Sequence, residues 1–163
     1  MNSMLRILPF ATLLLFLGFI TSCDEENQFP TEDFSTVPEA PDTTGVEREV
    51  LDSGIIIYIH EEGEGEFQVA EEDIVDLRYA LRTNIYVTED QTIDGDIQES
   101  SWSNNREDPI QLSLRDRSQG LRLGMQGMRE GGERTLIIPS DYAYQATGDN
   151  DIHYHIILDE IID

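Results

Sequence analysis

The sequence predicts an α+β domain in which an antiparallel β-sheet packs on one short α-helix. Three stretches carry that expectation. Asp73 to Arg82 alternates, with Val75, Leu77, Tyr79 and Leu81 facing one way and Ile74, Asp76, Arg78 and Ala80 the other, the period of a half-buried antiparallel strand. Ile152 to Ile157 alternates again, with Ile152, Tyr154 and Ile156 inward. Between them Leu121, Met125 and Met128 recur at i, i+4 and i+7 and line one helical face. Gly131 and Gly132 are expected to stop that helix, because glycine takes the left-handed conformation at little steric cost.

In chain order, residues 1–22 hold a single charge, Arg6, followed by the apolar run Ile7 to Ile20. That run is short for a membrane span and has the shape of a signal peptide. It leads into Ile20-Thr21-Ser22-Cys23, which resembles the lipobox of bacterial lipoproteins. The resemblance implies cleavage before Cys23, with lipid on its sulfur and its amine, and several acyl chains anchor stably where one does not. Cys23 is the only cysteine, so an intrachain disulfide is excluded. Asp24-Glu25-Glu26 resembles the surface-export signal of Bacteroidetes lipoproteins. Aspartate beside the lipidated cysteine implies inner-membrane retention in other Gram-negative bacteria. A lipid-anchored place in the cell envelope is expected, at the outer membrane or surface before the inner membrane.

Residues 23–46 are rich in Pro, Thr, Glu and Asp and poor in aliphatics. Such a segment buries too little apolar surface to offset its ordering entropy, so a disordered tether is expected, with Phe29 and Phe34 exposed. The remaining 47–163 form the domain, a length suited to one core. Formal net charge is −24, and all ten basic residues are arginine. Binding to a nucleic-acid backbone needs a basic face and is excluded; a solvated acidic surface is the plain reading.

Within the domain, Ile55 to His60 reads as a strand and Gly63-Glu64-Gly65 as a turn without the lysine and helix of a phosphate loop. Ile85-Tyr86-Val87 extends the hairpin that begins in Asp73–Arg82, Asp94-Gly95 is expected to turn it, and Ile97 to Ser101 to return. Ser118 caps the helix. Thr135 to Ile138 is a buried strand closed by Pro139, and Ser140-Asp141 opens a turn bearing Tyr142 and Tyr144. His153 and His155 share one face of the last strand. Two imidazoles without a third ligand fall short of a zinc site, so solvated histidines are expected, with no metal and no cofactor.

Gly120 to Tyr144, G-L-R-L-G-M-Q-G-M-R-E-G-G-E-R-T-L-I-I-P-S-D-Y-A-Y, resembles the C-terminal half of an FKBP-type peptidyl-prolyl isomerase: helix, G-G-x-x, strand, then P-S-D-x-A-Y in one fixed order. The resemblance implies a half-rolled antiparallel sheet wrapped on the helix and an apolar pocket for proline. It assigns pocket positions to Tyr79, Gln98, Glu99, Ile110, Leu112, Ser118, Leu121, Tyr144 and Tyr154, with Tyr144, Tyr79 and Glu99 nearest the chemistry. Several of these depart from the family: Gln98 stands where an aromatic is usual, Glu99 for aspartate, Ile110 and Leu112 for two aromatics, and Leu121 for an indole. Trp102 offers a ring near the first gap. Arg117 and Ser118 occupy the positions whose backbone donor receives a substrate carbonyl. The loop Gln145 to Asp151 is shorter than the family's flap.

Twisting a prolyl amide destroys its resonance, over a barrier of about 18–20 kcal/mol. No nucleophile is required, because a dry hollow favours the less charge-separated twisted amide. Three readings follow: a prolyl isomerase assisting folding of envelope proteins, a non-catalytic module binding peptides or proteins, and a structural lipoprotein. The first is preferred. Its partners are proline-containing polypeptide segments, and a monomer is expected.

Overall fold

The longest strand, β3 (Ile74–Val87), takes partners along both edges. The computed structural model describes residues 31–87, 93–143 and 150–162, and from Glu32 onward these form one compact unit. The other strands are β1 (Glu47–Val50), β2 (Ile56–Glu61), β4 (Ile93–Ser100), β5 (Ile110–Ser113), β6 (Glu133–Ile138) and β7 (Ile152–Ile162), with one helix, α1 (Gln119–Met125). The order across the antiparallel sheet is β1-β2-β6-β7-β3-β4. β5 joins the same edge of β3 as β4, nearer its start, pairing Val75 with Leu112 and Leu77 with Ile110. Register slips between Leu81 and Arg82 and between Thr83 and Tyr86 bend the strand, as bulges do.

The alternation expected in β3 and β7 is present. Val75, Leu77, Tyr79 and Leu81 are buried on the face that also holds Leu136, Ile138, Ile152, Tyr154 and Ile156. α1 lies against this face at β6, and two small residues allow the approach. A Cβ on Gly120 would sit 2.2 Å from Ile138 Cγ2 and 2.8 Å from the Tyr142 carbonyl oxygen, and one on Gly124 2.5 Å from Leu136 Cδ1. The Ser118 hydroxyl caps the helix, accepting the Leu121 N–H at 3.4 Å.

Several local expectations are corrected. The helix ends at Met125, well before Gly131: Gly127, at φ +78°, donates its N–H to the Val69 carbonyl at 2.9 Å. That left-handed residue supplies the stop earlier in the chain. Met128 is buried beyond the helix, held by the Val69 N–H on its carbonyl. Asp94 and Gly95 do not turn the hairpin but lie inside β4, with Tyr86 opposite Asp94, where Asn84 at φ +50° absorbs the extra residue of β3. β7 runs on to Ile162, because β3 offers it pairing as far as Ile74.

The segment expected to be disordered docks on the domain over residues 32–42. Asp33 and Asn104 exchange two hydrogen bonds, Thr36 donates to the Trp102 carbonyl at 2.7 Å, and Arg82 Nη2 donates to the Pro38 carbonyl at 2.5 Å. Phe34 is half-buried and Ala40 buried. Poverty in aliphatics did not imply disorder here, because polar and backbone groups make these contacts.

Candidate functional site

Tyr79 sits mid-β3, and neighbouring serines pin its backbone. Its N–H donates to Ser101 Oγ at 2.9 Å, while its carbonyl accepts from Ser100 Oγ and the Ser101 N–H, both at 3.0 Å. Its ring meets Tyr154 of β7 at 5.9 Å between centroids, tilted by 43°, within the range of favourable aromatic pairs. Its hydroxyl donates to the Glu99 carboxylate. Together with Leu77, Leu112, Leu121, Ile156 and Arg117, the two tyrosines line a hollow that is partly open to solvent. The cavity left among them is about 10 Å³, room for about one water.

Of the residues assigned to the site from sequence, Tyr79, Leu112, Leu121 and Tyr154 are brought together at this hollow. Glu99 stands beside it through the Tyr79 hydroxyl. Ile110 is half-buried against the core, and Ser118 is buried as the helix cap. Gln98 is exposed and is not among the lining residues; its side chain reaches the Asp96 carbonyl at 3.4 Å. Trp102 does not supply the missing ring. It stacks on His155 at 5.8 Å and 18°, and His155 faces away from Tyr154 on β7. Tyr144, Cys23 and most of the loop after Tyr144 lie outside the described residues. Sequence reasoning missed Leu77 and Ile156 as walls; both belong to the inward alternation and could have been found from it. Arg117 was assigned only a backbone role, and it is one of the residues that line the hollow.

The opposite face of the sheet corrects the histidines. His153 and His155 are 0 % and 5 % exposed, not solvated. Burial, with Arg82 beside it, pushes the His153 imidazole down to about 3. Burial also lowers His155, against the pull of Glu133, whose carboxylate lies 2.8 Å from its Nε2. Arg82 is buried across the ladder from His153 and lies 3.4 Å from Asp94 through Nε. No grouping of three or more metal-ligating side chains occurs among the described residues.

Residues 65–158, more than half of the chain, match the family described as FKBP-type peptidyl-prolyl cis-trans isomerase. The chain belongs to that family. This FKBP-type chain is 35 % identical over 99 residues to a probable FKBP-type peptidyl-prolyl cis-trans isomerase, FkpA, of Neisseria meningitidis, a match covering 61 % of this chain and 32 % of that one. It is 46 % identical over 56 residues to the peptidyl-prolyl cis-trans isomerase Mip of Chlamydia pneumoniae, covering 34 % and 21 %. The FKBP-type chain thus spans a third or less of the length of these two relatives. Among solved structures, FkpA of Escherichia coli superposes with a TM-score of 0.57 at 21 % identity, covering 70 % of this chain and 51 % of that one. An isomerase of Pseudomonas syringae superposes at 0.56 and 25 % identity, covering 71 % and 81 %. The open antiparallel sheet with one short helix is therefore the FKBP fold.

Proposed function

We propose that this chain isomerises peptidyl-prolyl bonds in proline-containing polypeptide segments at the hollow between β3, β7 and α1. The observation that carries the reading is the meeting of Tyr79, Tyr154, Leu112 and Leu121 around one cavity, in a member of this family. The lining residues are apolar apart from the two tyrosines and Arg117, which suits a reaction that needs desolvation of an amide and no nucleophile. Glu99 holds the Tyr79 hydroxyl and so orients that ring. Among the described residues no acceptor takes the Ser118 N–H, which leaves it for a substrate carbonyl. Tyr144 is proposed as the second donor to that carbonyl, as the family resemblance implies. A protease-coupled assay on a proline tetrapeptide tests the activity. Tyr144→Phe should lower kcat/KM by about tenfold, the worth of one hydrogen bond, and an unchanged value removes Tyr144 from the mechanism.

We further propose that the protein works as a monomer in the cell envelope, anchored by lipid on Cys23 and assisting the folding of envelope proteins. Slow proline steps in folding suit such a catalyst. No helix among the described residues is long and apolar enough to cross a membrane. Labelling with a radioactive fatty acid should mark the wild-type chain and not Cys23→Ser; equal labelling of both refutes the anchor.

The narrowness of the hollow favours a second reading, a module that binds proline segments without turning them over. Saturable peptide binding with no rate above the uncatalysed one would decide for it.

A further inference from the structure

The segment that docks ahead of β1 meets the domain at the tight turn after β4. The Asn104 N–H donates to the Asp33 carbonyl at 2.8 Å, and the Asp33 N–H to Asn104 Oδ1 at 3.1 Å. Ser103 Oγ donates to Glu32 Oε1 at 2.5 Å, and Thr36 Oγ1 to the Trp102 carbonyl at 2.7 Å. Three consecutive residues of the turn, Trp102 to Asn104, are thus held by residues 32–36. The turn needs such holding. Asn104 and Asn105 both lie in the left-handed region, at φ +55° and +57°, which residues other than glycine keep only where their surroundings fix it.

The same turn begins where Tyr79 is pinned. Ser100 Oγ donates to the Tyr79 carbonyl and accepts the Trp102 N–H at 3.1 Å. Ser101 Oγ accepts the Tyr79 N–H, and Glu99, one residue before Ser100, accepts the Tyr79 hydroxyl. Ser100, Ser101 and Ser103 are at most 4 % exposed, so a partner lost from this run of hydroxyls is costly to replace. We propose that Glu32 and Thr36 are positioning residues for the hollow: by fixing Trp102 and Ser103 they hold Ser100, Ser101 and Glu99 against Tyr79. This rests on the peptide-handling role of the hollow argued above. Neither Glu32 nor Thr36 is among the residues lining the hollow; each acts through the turn. Once the turn is released, Tyr79 loses the fixed backbone anchors that set its ring in the wall. A looser wall seats a peptide less well in the ground and transition states alike, so the cost falls on KM.

The test uses two double variants of the full chain. Both positions are exposed, so the core is left intact. Glu32→Ala/Thr36→Val removes both side-chain bonds to the turn, and Glu32→Gln/Thr36→Ser keeps an acceptor and a hydroxyl in place. In the protease-coupled assay on a proline tetrapeptide the first should raise KM by about fivefold, with kcat little changed. The second should match wild type. Amide NMR of the nitrogen-labelled protein without peptide should show the Tyr79 N–H resonance displaced in the first variant and restored in the second. A segment that merely stabilises the domain would lower the thermal midpoint and move neither reading. An unchanged KM or an unmoved Tyr79 resonance therefore overturns the proposal while leaving the isomerase reading intact. If wild type turns over no peptide, the isomerase reading falls, and the Tyr79 resonance decides the positioning role by itself.

Discussion

His153 shows how one side chain couples this fold to pH. Its imidazole is fully buried on β7, between Arg82 of β3 and Ile137 of β6, and both ring nitrogens lack a protein partner among the described residues. Charging it there would add a cation beside a guanidinium in a dry layer, so it stays neutral down to about pH 3. In the unfolded chain the same imidazole takes a proton near pH 6.5. Between those values the unfolded state holds a proton that the folded state refuses, so stability falls as pH falls, by about 2 kcal/mol between pH 6.5 and 5. His155 shifts in the same direction and adds to the loss. Urea denaturation at pH 7.5 and 5, followed through Trp102, the only tryptophan, should show this drop, and His153→Leu should flatten it. A wild-type midpoint indifferent to pH over that range would contradict the neutral, buried imidazole.

The helix is the element on which the site depends, since it carries Leu121 into the hollow from the Ser118 cap. Its place on β6 is set by what Gly120 and Gly124 lack. Alanine is the better helix former by about 1 kcal/mol, which alone would make Gly120→Ala stabilising. Against this, the added methyl would lie 2.2 Å from Ile138 and 2.8 Å from the Tyr142 backbone oxygen, and overpacking of this kind typically costs about 1–3 kcal/mol. The backbone oxygen cannot move aside as a side-chain tip can, so the clash wins. Thermal unfolding of Gly120→Ala should therefore show a lower midpoint than wild type; a higher one would mean that the helix is free to lift off β6. At this scale the capping serine and the inward faces of β3 and β7 were legible in the chain, because each depends on near neighbours. The helix stop was not, because Gly127 is held by Val69, a residue far back in the chain. Where Trp102 would point was hidden for the same reason: its ring stacks on His155, away from the hollow.

Over the whole molecule, charge is the dominant unbalanced term. Thirty-four acidic residues face ten arginines, and of those arginines Arg78, Arg115 and Arg122 form ion pairs at the surface, with Asp159, Glu72 and Glu71. Exposed pairs contribute little each, whereas a net −24 makes the compact state repel itself. Raising sodium chloride from about 0.01 to 0.15 M shortens the screening length from about 30 to 8 Å, and the thermal midpoint should rise by several degrees. A midpoint that falls with salt would show that the ion pairs outweigh the repulsion.

The sequence by itself determined the sheet-and-helix class and the faces of β3 and β7, because period-two alternation and a capped apolar stripe are local consequences of backbone geometry; four walls of the hollow were legible only through the family resemblance. The ordered motifs from Gly120 to Tyr144 pointed to the family. Tertiary structure alone decided that His153 and His155 are buried, that residues 32–42 lie against the domain, and that Leu77, Ile156 and Arg117 join the tyrosines around a hollow with room for about one water. Each of those outcomes turns on which distant segment covers a face. Alternation says only that two faces differ; what lies on each is settled when the chain closes on itself.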